Sequence, residues 1–364
     1  MPESHARRRA ALRAELRARR LDAMLVTNLL NVRYLTGFTG SNAALLVSAE
    51  DEAADERGTV FCTDGRYLTQ SAAQVPDLER LIDRPCDVAL LTGIPGGRVG
   101  FESHHVTVDG FDLLAAASGG LELTRAPKLV EGLRLVKDED EVEALRMACA
   151  AADRALADLI SHGGLRPGRT EKEVGRELED RMAEHGAAGP SFETIVAAGA
   201  NSAVPHHRPT DAVLITGDLV KLDFGARVGG YHSDMTRTLV LGRAADWQRE
   251  LYELVAAAQA AGRDALAPGV EVAAVDAAAR SVIEAAGHGE RFLHGLGHGV
   301  GLEIHEAPSL SKLGVGTLTA GMAVTVEPGV YLSGRGGVRI EDTLVVREGA
   351  PELLTLTTKD LVVV

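Results

Sequence analysis

Gly217-Asp-Leu-Val-Lys-Leu-Asp-Phe-Gly225 and Gly321-Met-Ala-Val-Thr-Val-Glu-Pro-Gly329 are the stretches on which the reading of this fold turns. Each is a short apolar run between glycines with one acid near its end, Asp223 in the first and Glu327 in the second, at an offset of 104 residues. Runs of this length and boundary predict strands. Upstream, Leu165-Arg-Pro-Gly168 opens a helical pattern that closes at Gly186, and Leu266-Ala-Pro-Gly269 opens one that closes at Gly287, an offset of 101 at both ends. Val174 and Met182 then fall on Val275 and Ile283. Two halves that each run from helices to paired strands predict one layered α+β unit with an internal pseudo-twofold duplication.

Gly229-Gly230 reads as a tight turn out of the first strand into a second over 231–241. A two-residue hairpin there sets Asp234 opposite Gly225, so that Asp223 and Asp234 become diagonal neighbours on one face. In the second half, a loop over 333–337 sets Glu341 opposite Gly329, diagonal to Glu327. Four carboxylates would then project towards a shared axis. Burying them together is very costly unless cations neutralise them, and two divalent ions about 3.5–4 Å apart would do so. The plainer alternative is that each acid pairs separately with Arg227, Arg237 or Arg339.

His294-Gly-Leu-Gly-His298-Gly-Val-Gly-Leu-Glu-Ile-His305-Glu306 adds three imidazoles in a glycine-rich stretch, and His206-His207 follows Pro205. Imidazole suits manganese, cobalt, zinc or iron, whereas magnesium and calcium prefer oxygen alone. Glycines let a backbone approach a ligand or metal closely. No HExxH, GxSxG, Walker lysine or GxGxxG competes with this reading.

The rest of the chain bounds the setting. Its 364 residues are natural for two domains. Residues 22–126 alternate predicted strands (23–27, 43–49, 59–63, 98–102, 121–124) with predicted helices (65–75, 108–117), an α/β pattern. A long helix is expected from Asp138 to about His162, which places the domains at 1–128 and 129–364. A net charge of −14 argues against a nucleic-acid partner. Three scattered cysteines fit a reducing cytoplasm. Seven arginines precede Leu21, with Leu12 and Leu16 one turn apart, which predicts a solvated amphipathic helix. No apolar run reaches the ~18 residues that a membrane span needs, so no membrane partner is expected.

Leu222-Asp223-Phe-Gly, Ser233-Asp234-Met-Thr-Arg-Thr238, the 294–306 run, Val326-Glu327-Pro-Gly and Arg339-Ile-Glu341-Asp342 together resemble the pita-bread metallopeptidases. Within them, the set is most similar to the proline-specific branch, aminopeptidase P and prolidase. Tyr34-Leu-Thr-Gly-Phe38 and Thr63-Asp-Gly-Arg-Tyr67 resemble segments of that branch's creatinase-like N-terminal domain, so the likeness covers essentially the whole chain. The resemblance implies two divalent ions, manganese first and cobalt or zinc as alternatives, with a water between them as the attacking group. Asp223 would chelate one ion, Asp234 and Glu341 would bridge both, and His298 and Glu327 would complete the other. His206 and His305 would contact substrate and the tetrahedral intermediate, His294 would border the substrate pocket, and Arg339 would support the bridging acids. Glu327 would take the proton of the attacking water. A homodimer is implied as well. His207 departs from the commoner Pro-His-Gly and receives no role.

The implied activity is hydrolysis of the Xaa-Pro bond at the N-terminus of peptides. A dipeptidase needs a cation for the proline carboxylate, and some prolidases carry an arginine shortly after the His-Glu matching His305-Glu306. Ala307-Pro308-Ser309-Leu310 stands there instead, which tilts the reading to aminopeptidase P, with prolidase as the alternative. Methionine aminopeptidase lacks a comparable N-terminal domain. A metal-free creatinase-type hydrolase, or a binding module without catalysis, would require the loss of ligand motifs that are all present here.

Overall fold

The structure is a computed structural model that describes residues 2–50, 56–92 and 94–364. It divides into two compact units, Met1–Arg134 and Leu135–Val364. The division falls six residues beyond the expected 128/129, because helix Leu129–Arg134 stays with the first unit.

The first unit is built on a six-stranded sheet. Its strands are β1 (Ala23–Val26), β2 (Ala43–Ser48), β3 (Val60–Thr63), β4 (Glu79–Ile82), β5 (Gly97–Phe101) and β6 (Leu121–Arg125), in the spatial order β4-β3-β2-β1-β5-β6. β1 and β2 pair antiparallel, β1 and β5 parallel. Sequence reading anticipated five of the strands. It missed β4, an edge strand of sequence Glu-Arg-Leu-Ile with no buried residue and hence no apolar periodicity.

Helix α1 (Pro2–Ala18) corrects the expectation of a solvated face. Leu12 and Leu16 are buried as expected, but Arg8, Arg9 and Arg13 are buried too. Arg9 has no exposed surface; it donates to the Leu35 carbonyl at 2.8 Å and to Asp77 at 2.6 Å, and it pairs with Glu56. Arg13 pairs with the same Glu56 and donates to Thr59 at 2.9 Å. The arginines pin α1 to its own unit through buried, partnered guanidiniums, which is the form in which burying charge is tolerated. An amphipathicity argument counts them as surface.

The second unit shows the duplication element by element. Its first half runs α2 (Glu139–Ser161), α3 (Glu171–Glu184), β7 (Ile195–Ala198), β8 (Leu219–Phe224), β9 (Arg227–Val228), β10 (Tyr231–His232) and β11 (Met235–Val240). Its second half runs α4 (Asp246–Asp264), α5 (Val272–Ala285), β12 (Gly297–Gly299), β13 (Glu306–Leu310), β14 (Ala323–Val326), β15 (Gly329–Leu332), β16 (Gly336–Arg339) and β17 (Asp342–Val345). β18 (Glu352–Leu353) closes the second sheet. α3 and α5 are offset by 101 at both ends. The sheets match as well, β11-β8-β7 in one half and β17-β14-β12 within β13-β12-β14-β17-β18 in the other. Each half has its own apolar core. Val174, Met182, Val196 and Leu222 are buried in one, and Val275, Ile283, Val324 and Val326 in the other.

Local chemistry sets the helix bounds. Asp138 caps α2 and Thr170 caps α3, each in a reciprocal capping box with the glutamate three residues on. Among the described residues, no helix is long and apolar enough to cross a membrane.

Candidate metal centre

β8 is buried along its whole length, so the carboxylate of Asp223 enters the interior on a strand that is otherwise apolar but for Lys221. Gly229 and Gly230, with φ of 58° and 87°, make the two-residue turn between β9 and β10, a left-handed pair that side chains with a Cβ rarely adopt. The register set there, Val228 opposite Tyr231, carries through to Asp223 opposite Thr236. Asp234 therefore lies opposite Gly225 and diagonal to Asp223, as the hairpin argument requires.

The second hairpin differs from expectation. Leu332 pairs with Gly336, so the loop is 333–335 rather than 333–337. The pairs Gly329–Arg339 and Val326–Asp342 bracket the acids, and Glu341 lies level with Glu327 instead of opposite Gly329. The backbone N–H of Glu341 donates to Thr236 O of the first half at 3.1 Å. The acid is thus turned towards the other hairpin.

The fifth candidate donor comes from β12. Gly297 and Gly299 permit this: a Cβ on either would stand 2.0 Å from a carbonyl oxygen, of Thr325 or of Ala307. The glycines thus serve close approach between strands. His298 Nε2 lies 3.5 Å from Asp234 Oδ2 and 3.5 Å from Glu327 Oε1. Donor atoms of Asp234, His298 and Glu341 all lie within 4.8 Å of one another.

The electrostatics fit a cation site. Asp223 Oδ1 and Glu341 Oε1 are buried without a hydrogen-bond partner among the described residues. Burial pushes Asp234 up to about 6 against the hydrogen bond from His298, and Glu327 up to about 7 against the charges of His298 and Arg339. Burial with the charge of Asp234 holds Glu341 well above the carboxylate range. Burial works against a charged His298, but the hydrogen bond with Asp234 and the charge of Glu327 outweigh it and raise the imidazole to about 9. Acids that retain protons for want of countercharge are the ones divalent ions would ionise.

Separate pairing with arginines does not account for the cluster. Arg237 is engaged by Asp342 at 2.7 Å, and Arg227 lies at the surface. Arg339 alone of the three reaches the acids, pairing with Asp223 and lying 4.0 Å from Glu327. It also donates to Thr236 Oγ1 at 3.0 Å, and Thr236 in turn donates to Glu341 at 2.6 Å. One guanidinium does not neutralise four carboxylates.

Above the acids opens a cleft of about 290 Å³. His206, His298 and His305 line it with the four acids, and Phe192, Ile195 and Ile304 supply apolar wall. The His298 and His305 rings meet edge to face at 4.5 Å. Burial, then the charges of His298 and His206, hold His305 below its ordinary pKa. His294 is placed otherwise: it is absent from the described lining, and its Nε2 bonds Tyr331 Oη at 2.8 Å. Burial and the charge of Arg339 depress it to about 3. His207 also borders the cleft, with its Nε2 against Glu171 at 2.8 Å.

Sequence reading did not single out Tyr331, Thr236, Phe192 or Lys221. Tyr331 Oη bridges His294 and Arg339, accepting from Arg339 at 2.9 Å. Lys221 sits inside an apolar strand run with no exposed surface, where burial and the charge of Arg339 pull its amine down to about 6. No periodicity marks such residues.

Comparison with known proteins agrees with this construction. The profile of metallopeptidase family M24 matches residues 143–348, and that of the creatinase/prolidase N-terminal domain matches residues 8–136. An uncharacterized peptidase of Bacillus subtilis, YqhT, is 41% identical over 94% of this chain and 96% of its own length. Among solved structures, an Xaa-Pro dipeptidase from Bacillus anthracis superposes with a TM-score of 0.92 at 37% identity, covering 99% of this chain and 100% of its own. An X-Pro aminopeptidase from Thermotoga maritima superposes at 0.88 with 33% identity, covering 98% and 99%. A creatinase-type N-terminal domain precedes a pita-bread domain whose acids converge with a histidine, and the chain belongs to metallopeptidase family M24.

Proposed function

We propose that this chain hydrolyses the Xaa-Pro bond at the N-terminus of peptides, as a cytoplasmic homodimer loaded with two manganese ions, cobalt or zinc being the alternatives. The observation that carries the reading is the convergence of Asp223, Asp234, His298, Glu327 and Glu341 beneath a cleft lined by His206 and His305. These five would hold the ions, which supply Lewis acidity and lower the pKa of water.

The protein's own groups do the rest. Glu327, at the floor of the cleft, accepts the proton of the attacking water and returns it to the leaving nitrogen. His305 and His206, which line the cleft, donate to the substrate and to the oxygen that gains charge in the tetrahedral intermediate. Arg339 orients Asp223 directly and Glu341 through Thr236. Phe192, Ile195 and Ile304 offer the proline ring an apolar wall. Proline has no N–H, so selectivity follows from a wall that asks for no hydrogen bond there.

Substrate length divides two readings. The serine at Ser309, where an arginine would serve a dipeptidase, favours Xaa-Pro-Yaa. A second reading, Xaa-Pro dipeptide hydrolysis, is favoured by Arg208. It lines the cleft with its side chain 82% exposed and pairs with Glu193 at 3.1 Å, so its guanidinium can turn to a substrate carboxylate. Measuring kcat/KM for Xaa-Pro, Xaa-Pro-Yaa and Xaa-Ala-Yaa with manganese tests both. Dipeptide superiority makes the chain a prolidase, and indifference to proline overturns the specificity.

A further inference from the structure

His206 is exposed at the cleft, yet the backbone on both sides of it is held. Downstream, buried Glu171 accepts from His207 Nε2 at 2.8 Å, from the Thr210 backbone at 2.9 Å and from Thr210 Oγ1 at 2.7 Å. Upstream, two buried basic side chains hold carbonyls. Lys221 Nζ donates to Val204 O at 2.5 Å and to Pro205 O at 3.1 Å, and Arg339 Nη1 donates to Pro205 O at 3.1 Å. Lys221 Nζ also lies 5.2 Å from the Tyr331 ring centroid.

A buried amine with no carboxylate in salt-bridge contact among the described residues is an expensive way to fill a strand position that a valine or leucine would fill well. Its return here is specific. The two carbonyls it binds belong to the two residues before His206, and it stands two positions from Asp223 on the same face of β8. Either protonation state of the amine donates to both carbonyls, so the arrangement does not depend on its charge. We propose that Lys221 is a positioning residue for His206: from β8 it ties the Val204-Pro205 backbone to the strand that carries Asp223, and so fixes the imidazole's place over the acids.

The inference rests on reading His206 as a group that contacts substrate, and a double-mutant cycle on the manganese-loaded full chain separates the two. Lys221→Met is expected to lower kcat/KM for Xaa-Pro-Yaa by about 10- to 100-fold, as misplacement of a contact does, while metal content stays at the wild-type level. Lys221→Arg should recover part of the loss. In a His206→Ala background the Lys221→Met change should have almost no further effect, because the residue acts through His206. Hydrogen exchange at 199–206 should quicken in the Met variant. Additive losses, or unchanged exchange, overturn the proposal while leaving His206 in its role. A silent His206→Ala overturns the role of His206 itself and the inference with it. Lys221→Gln, polar but shorter, runs the same cycle if the Met variant does not fold.

Discussion

The two halves of the catalytic unit use one scaffold and reach the metal centre differently. The first half presents two aspartates, Asp223 and Asp234, diagonal across a hairpin closed by two residues. The second presents two glutamates, Glu327 and Glu341, level with each other across a hairpin closed by three. Carrying the 101-residue offset of the helices onto β7 and β12 sets His298 against Ala197. The fifth donor thus has no counterpart in the first half. The orienting groups cross between halves as well: Arg339 of the second holds Asp223 of the first, and Thr236 of the first holds Glu341 of the second. Duplication supplies frames at matching depth, and chemistry comes from breaking the symmetry within them.

The sharpest way to break this comparison is to remove one acid from each half. Asp234→Asn and Glu341→Gln should each lose bound metal and activity together, by more than the about 100-fold typical of an outer partner. His305→Ala should keep its metal and lower kcat. Metal content measured beside kcat/KM decides it. Retention of both ions in one acid variant alone would mean that a single half holds them. Chelation of the wild type should also lower its thermal midpoint, since ligands that bind only the folded state stabilise by about 2.7 kcal/mol at 100 times Kd.

Next in size is a buried contact that couples the halves behind the acids. Arg237 on β11 pairs at 2.7 Å with Asp342 on β17, and both are buried. Arg237→Met should cost about 3–5 kcal/mol, the usual effect of stripping a buried charge of its partner. Since Asp342 also pairs with Lys359 at 3.2 Å and accepts from Gln259 at 2.8 Å and Thr355 at 2.9 Å, it keeps a cation and the lower figure is expected. Denaturant unfolding of the catalytic unit should stay a single transition. Separate transitions for the halves would show that the duplication survives as two folding units.

The same asymmetry marks where sequence was informative. The α3/α5 offset was legible from matching Pro-Gly openings and glycine ends, and the diagonal of Asp223 and Asp234 because a Gly-Gly turn admits one register. Glu341 was placed two residues out of register because Ser333-Gly-Arg-Gly-Gly337 is compatible with closure at three residues or five, and only packing chooses. Lys221 and Tyr331 were invisible because strand patterns weigh polarity and not partners. The arginines of α1 misled for the same reason.

The smallest expected effect probes the helices that match best. α3 and α5 have equal length and offset ends, but α3 is capped by the Thr170 side chain and α5 begins at Glu271 with no side-chain cap. The Ala274 N–H donates instead to the Glu271 carbonyl at 2.9 Å. Glu271 already has the extended φ and ψ of −66° and 136° that a capping residue adopts. Its side chain is one methylene too long to turn back on the helix. Thr170→Ala should therefore cost about 1 kcal/mol, and Glu271→Asp, which keeps the favourable negative charge at the helix start, should gain about 0.5 kcal/mol. Both appear as shifts of the urea midpoint at constant slope. A loss from Thr170→Ala without a gain from Glu271→Asp would show that α5 has replaced its cap with the backbone bond to Glu271, and that the two halves differ in how their helices begin as well as in how their acids meet.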